Sequence, residues 1–201
     1  MMSISLVGIG TVRDRFEEDE IPVLSGSSRL TLLDSEWFFM FGPAGSQVEA
    51  LMQWIRDSWH YDLGKPKIGF IGYGATPFYE EQCDMAEAVV EQYPDKYEWL
   101  GAETPPRGTM TSATEVKRLI DSDFTLVGMP GPAVASFAGE ARARGYENRL
   151  IGPLESFWSY WELIERAVPS KDLDGILTGT YLPWWDDDVP FILELKEYAE
   201  K

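Results

Sequence analysis

Aromatic and small polar side chains recur where the apolar runs of this chain end. They are Ser25, Ser27, Ser28 and Arg29 in VLSGSSR, Tyr73, Phe78 and Tyr79 in GYGATPFYE, Met129 in GMPGP, Glu155 in GPLES, and Trp184 in LPWWDDD. Mostly apolar walls carrying a few placed polar groups are the composition of a small-molecule pocket. Serine and glycine at a strand's carboxyl end add backbone N–H groups and hydroxyls, which suit an anionic or polar ligand. The same residues have a structural reading, in which the aromatics plug the ends of a sheet and SGSSR is a plain connection. Residue type and spacing leave the two open.

Other chemistries fit the pattern less well. Gly72 and Gly74 begin a dinucleotide fingerprint, but Pro77 stands where the third glycine belongs, and Arg13 spoils Gly8 and Gly10 in the same way. No nicotinamide, flavin or other cofactor is expected. Asp186, Asp187 and Asp188 are consecutive, so on an extended loop they point in different directions; a calcium loop spaces its ligands and turns on a glycine. His60 is the only histidine and has no partner spaced for metal or nucleophilic work, which makes it a surface residue. There is no G-x-S-x-G, Walker loop or spaced Cys/His set. The chain reads as a binding protein and not an enzyme, with no metal.

The bulk composition agrees with a globular chain of 201 residues, 44% of them hydrophobic, enough to bury one large core or two small ones. A formal charge of −17 argues against nucleic acid and anionic membranes as partners. No apolar run approaches the roughly 18 residues of a membrane span. One cysteine, Cys83, excludes an internal disulfide. MMSISLVGIG lacks the basic start, long apolar stretch and small-residue cleavage site of a secretion signal, and ILELKEYAEK stops inside a helical pattern. Both ends predict a segment of something longer.

The elements that must position these residues alternate. Lys67–Ile71 reads as an apolar strand, Gly72–Pro77 as a turn, and Phe78–Gln92 as a helix with Tyr79, Cys83, Ala86 and Val90 on its buried face. Strands follow at Glu98–Ala102, Phe124–Gly128, Arg149–Gly152 and Gly175–Tyr181. Helices start at Ser112, with Leu119 and Ile120 inward, at Pro132, at Ser156 and at Val189. Before this block come strands Ile4–Val7, Pro22–Leu24 and Trp37–Phe41 and an acidic helix Val12–Asp19. A helix capped by Ser46 then presents Val48, Leu51, Met52 and Ile55 at i, i+3, i+4 and i+7. Such alternation means parallel sheets with helices on both faces, an α/β fold. In open parallel sheets, ligands sit beyond the carboxyl ends of the strands, where Tyr73, Phe78 and Tyr79 fall.

In order and phrasing these motifs resemble the type I periplasmic solute-binding proteins of branched-chain amino acid (leucine/isoleucine/valine) ABC transporters. EDEIPVLSGSS is similar to the family's phrase for one lip of the cleft, and GKPKIGFIGYGATPFYEE to the strand and turn that open its second lobe. DSDFTLVGMPGPAVASFAGEARARGYENRLIGP resembles its strand, glycine loop, A-R-x-x-G helix end and G-P strand end, and DGILTGTYLPWW its last crossing between lobes. The resemblance implies two Rossmann-like α/β lobes, the first incomplete. Residues 1–63 would be part of lobe one, 64–182 lobe two, and 183–201 the return crossing and helix of lobe one. It implies a small polar or carboxylated solute, an amino acid or related compound, bound as the lobes close. A membrane permease would be the partner, and the full-length parent would be periplasmic or extracytoplasmic.

Carried onto this sequence, Ser25, Ser27 and Ser28 would hold the solute's carboxylate, and Arg29 either pairs with an anionic ligand or points outward. Phe78 or Tyr79 would cover the ligand. Met129 stands where a tyrosine is frequent. Glu155 is one residue from the place of the carboxylate that pairs with an amine, a departure that bears on amino-acid recognition, and Trp184 suits a larger or flatter ligand. An incomplete first lobe would leave an apolar sheet face bare, which predicts self-association or a covering chain. A ligand-sensing regulatory domain of the same fold is the alternative function, and a Rossmann-type enzyme a more distant one.

Overall fold

A computed structural model describes residues 2–3, 13–25, 34–40, 44–109, 113–129, 131–146, 149–152, 161–178 and 186–199. A helix over 13–18, α1, follows β1 (Met2–Ser3), and β2 (Val23–Ser25) and β3 (Phe38–Met40) complete a parallel sheet in the order β1-β2-β3. The second sheet holds β4 (Lys67–Gly72), β5 (Glu98–Glu103), β6 (Phe124–Gly128), β7 (Arg149–Gly152) and β8 (Ile176–Thr178), all parallel, in the order β5-β4-β6-β7-β8. The α/β reading is the observed fold. The strand expected at 4–7 lies outside the described residues.

Helices connect the strands as parallel pairing requires. They are α2 (Ala44–Ser58), α3 (Pro77–Gln92), α4 (Ala113–Arg118), α5 (Gly131–Ala143), α6 (Trp161–Ala167) and α7 (Pro190–Ala199). The expected periodicity of α2 is realised, since Val48, Leu51, Met52 and Ile55 are all buried. Its start differs. Ser46 lies inside the helix instead of capping it, and the Gly45 N–H donates to Glu81 Oε1 of α3 at 3.2 Å. A carboxylate from a neighbouring helix thus satisfies a first-turn amide of α2. In α4 the inward face ends early: Leu119 is buried, but the helix stops at Arg118 and Ile120 turns out to 37% exposure.

The five-stranded sheet has a core on each face, as its period-two alternation demands. Ile68, Phe70, Phe124 and Leu126 pack with Val48, Met52, Ile55, Ala86 and Val89 of α2 and α3. Ile71, Val127 and Met129 pack on the other side with Val116, Val134, Phe137, Ala138 and Ile164 of α4 to α6. The packing of α2 is therefore with the second sheet, although its residues fall in the stretch 1–63 that sequence grouped with the first lobe. Fully burying side chains such as Met52 and Ile55 stabilises by roughly 1.5–3 kcal/mol each. The Tyr97 hydroxyl adds a hydrogen bond to the Met52 carbonyl at 2.7 Å.

Polar groups close the amino-terminal end of this sheet. The Lys67 N–H donates to Asp123 Oδ2 and the Asp123 N–H to the Lys67 carbonyl, both at 2.8 Å. Tyr146, buried after α5, shares its hydroxyl with Ser122 at 2.7 Å and with Thr125. Among the described residues the small sheet is covered on one side, where Phe16 of α1 meets Phe38 edge-on and Val23 is buried. Its paired residues Leu24 and Phe39 face the other way, 45% and 55% exposed.

At the opposite end, Gly72 of β4 pairs with Gly128 of β6. A methyl group on Gly72 would lie 2.6 Å from the Phe70 ring, and one on Gly128 would lie 2.7 Å from Gln82 Oε1 and 2.8 Å from that ring. Gln82 is fully buried, and neither atom of its amide has a hydrogen-bond partner among the described residues.

Two outcomes follow for stability. Gly128→Ala forces the Phe70 ring or the Gln82 amide aside and is expected to cost about 1–3 kcal/mol, whereas Gln82→Met removes unpaired polar atoms and is expected to be neutral or stabilising; urea unfolding midpoints measure both. Burial pushes the Tyr97 hydroxyl up to about 12 from an ordinary value near 10, and Tyr73 and Tyr146 shift the same way. Their neutral forms favour the folded state, so that contribution is intact below pH 10 and is lost as pH rises from 10 towards about 12. Stability measured through this window should fall in the wild type and fall less steeply in Tyr97→Phe.

Candidate functional site

In the strand order β5-β4-β6-β7-β8, the chain runs from β4 to one side for β5 and then to the other for β6. Open α/β sheets take ligands outside the carboxyl ends of the strands at such a reversal, which here falls between β4 and β6. Tyr73 is the first residue after β4 and Met129 the first after β6, so two sequence-nominated residues flank this point. Phe78 and Tyr79 join them from the first turn of α3, with Phe78–Tyr79 ring centroids 5.5 Å apart and Tyr73–Tyr79 6.3 Å apart, both pairs edge-on.

All four of these residues are buried, between 2% and 7% exposed, and belong to one core cluster. They close the sheet end as packed walls. The Tyr73 hydroxyl donates to the Thr109 carbonyl at 3.1 Å, and burial raises its pKa while the nearby Arg107 charge opposes the rise. The turn between β4 and α3 is held against the segment after β5 by the Gly74 N–H, which donates to the Pro105 carbonyl at 3.0 Å. Ala75 takes a left-handed φ of 54° in this turn, a conformation that costs an L-residue about 1–2 kcal/mol. Thr76, 3% exposed, precedes α3, and its hydroxyl makes neither a cap bond nor any other hydrogen bond among the described residues.

The remaining candidates are placed in part or not at all. Ser25 ends β2, in register with Ser3 and Met40. Ser27, Ser28, Arg29, Glu155 and Trp184 lie outside the described residues. The structure therefore brings together Tyr73, Phe78, Tyr79 and Met129, and relates them to none of the others.

Sequence reading missed part of the wall. A cavity of about 130 Å³ opens beside α3 at the ends of β4 and β5, and Phe70, Glu80, Cys83, Asp84 and Thr104 line it along with Tyr73 and Tyr79. Cys83 packs against the core as expected but is only half-buried and also borders this cavity, its thiol pushed up to about 12 by burial first and then by Glu87 and Asp84. Glu80 and Asp84 sit four residues apart on α3, a spacing visible in the sequence; that they border a hollow depends on β5 lying beside β4. Among the described residues, no cluster of three or more metal-ligating side chains occurs, and no helix is long and apolar enough to cross a membrane.

No family model matches the sequence, and no curated protein matches it. Solved structures do match by fold. A fatty acid ABC transporter substrate-binding protein from Thermomonospora curvata superposes with a TM-score of 0.80 at 21% identity, over 99% of this chain and 50% of that one. A branched chain amino acid ABC transporter from Thermus thermophilus with bound valine gives 0.74 at 18%, over 99% and 51%. An ABC transporter solute binding protein from R. palustris in complex with benzoate gives 0.74 at 14%, over 99% and 54%. At these identities the likeness is one of fold, and the chain spans about half the length of the structures it matches. The chain has the parallel-sheet α/β fold of type I periplasmic binding proteins over about half of their length.

Proposed function

We propose that the chain is about half of a solute-binding component of an ABC importer, with the solute held against the carboxyl ends of β4 and β6. The observation that carries this reading is the convergence of Tyr73, Phe78, Tyr79 and Met129 at the point where the strand order reverses. Its support from outside is the fold shared with proteins whose bound or named ligands are valine, benzoate and fatty acid. Those ligands have in common a carboxylate on an apolar body. A small carboxylated or polar solute is the class proposed here, with Ser25, Ser27, Ser28 and Arg29 as the lip that meets its polar end. Glu155 and Trp184 complete the proposed set.

The proposed division is a first lobe in 1–63 and 183–201 and a second in 64–182, with α2 packed across on the second lobe's sheet. Closure of the lobes would follow from solute contacts to both, since a ligand shifts a conformational equilibrium only by its differential affinity for the two states. A membrane permease is the proposed partner and an extracytoplasmic location the proposed setting. No catalytic step is assigned.

Calorimetric titration of the chain with amino acids, amides, aromatic acids and short fatty acids is expected to find one saturable ligand. Ser27→Ala and Phe78→Leu should each weaken it, by roughly tenfold for a lost hydrogen bond or a lost apolar contact. Absence of saturable binding across the series, or turnover of a bound compound, overturns the reading.

A further inference from the structure

We propose that the outer edge of β5 accepts an extended, lysine- or arginine-bearing segment of a partner protein, which joins the five-stranded sheet as a further strand alongside the carboxylates of α3. β5 ends the order β5-β4-β6-β7-β8, so it pairs with β4 on one side and, among the described residues, with no strand on the other. This surface goes beyond the solute-binding reading and does not depend on it.

An edge strand leaves a row of backbone N–H and C=O groups open to another chain, and proteins blunt such edges with lysine, proline, a bulge or a covering element. β5 has six residues, EWLGAE, and neither lysine nor proline is among them. It carries one bulge. The register steps from Ile68–Trp99 to Gly69–Gly101, and Gly101 takes a φ of 110°. That step skips Leu100, and Trp99 and Ala102 both pack against the core formed with α2 and α3. The strand is not sealed off, since Glu98 is exposed and every residue from Trp99 to Glu103 is only half-buried.

The charge beside this edge selects the occupant. On α3, Glu81 reaches the start of α2 and Gln82 lies against the Gly128 position of β6, so that flank of the helix faces away from β5. Glu80, Asp84, Glu87 and Glu91 recur at i, i+4, i+7 and i+11 on the other flank, on the side of Cys83 and the end of β5. All four are exposed, α3 contains no lysine or arginine, and none of the four forms an ion pair among the described residues. Helix rise makes this row about 16 Å long, and strand rise makes β5 about as long. Same-face residues of an added strand are roughly 7 Å apart, close to the spacing of the carboxylates, so basic side chains at i, i+2 and i+4 can follow the row. A second copy is the wrong occupant. Continuous pairing of β5 with its own counterpart would set α3 beside α3 and one carboxylate row against the other, in a chain already at −17.

The test uses the full 201-residue chain and capped peptides of alternating lysine and valine, matched in length to β5. One control replaces lysine by glutamate; a second keeps the lysines but is N-methylated at every backbone nitrogen, so it retains the charge and loses its backbone donors. Calorimetry is expected to show saturable binding of the lysine peptide, roughly tenfold weaker binding of the N-methylated form, and none of the glutamate peptide. Amide hydrogen exchange should slow in β5 when the lysine peptide binds. The variant Glu80→Gln/Asp84→Asn/Glu87→Gln/Glu91→Gln should bind the lysine peptide roughly tenfold more weakly. If that variant fails to fold, added salt is the substitute measurement, and affinity should fall as the exposed charges are screened. No binding of the lysine peptide, equal binding of its N-methylated form, no effect of neutralisation or salt, or unchanged exchange in β5 overturns the proposal. So does β5 protection that grows with the concentration of the chain alone, which would assign the edge to a second copy.

Discussion

The pairing of Gly72 with Gly128 is the constraint on which the functional end of this molecule depends. The two residues meet where β4 and β6 finish, on the face covered by α2 and α3, and neither tolerates a Cβ. The space they leave is filled by the Phe70 ring and the Gln82 side chain, with Tyr79 close behind at 3.3 Å from the Gly128 position. Glycine costs the unfolded chain entropy wherever it sits in a strand, roughly 0.5–1 kcal/mol against alanine. Here that cost is offset by letting α3 approach the sheet end closely enough to lay its first turn over the strand-order reversal.

Two consequences follow from that approach. Phe78 and Tyr79 come down beside Tyr73 and Met129, so the sheet ends in an aromatic and thioether wall rather than in open backbone. Glu81, on the flank of the same helix, reaches the first turn of α2 and takes over its capping. The helix α2 is thereby tied down at two points: at its start through Glu81 of α3, and mid-helix through Tyr97 bonding the Met52 carbonyl. At the other end of the sheet the Lys67–Asp123 backbone and side-chain bonds fix the register of β4 and β6. Register set at one end and glycine contact at the other hold Tyr73, Phe78, Tyr79 and Met129 in place.

The packing also explains where sequence reading succeeded and where it failed. Alternating apolar runs, such as Ile68, Phe70 against Ile71, Tyr73, and the spacing of Val48, Leu51, Met52 and Ile55 are periodic signals, and each became a buried face as expected. Ser46 looked like a cap because capping is normally local; the partner that wins is 36 residues away and has no local signature. Ile120 fitted a helical face that stops two residues too soon. Cys83 shared a face with Tyr79 and Ala86, yet the neighbouring strand end leaves a hollow beside it.

Element order, the parallel α/β class and the aromatic residues at strand ends were determined by the sequence alone, because hydrophobic period and glycine–proline punctuation are properties of short stretches. The strand order β5-β4-β6-β7-β8, and with it the reversal that Tyr73 and Met129 flank, was decided only by tertiary structure. So were the side of the sheet on which α2 packs and the cavity that joins Glu80 and Asp84 to Phe70 and Tyr73. These depend on which parallel neighbour each strand takes, and one strand's pattern carries no address for the next. A run such as KIGFIG specifies two buried faces; what is buried against them is settled by the whole chain at once.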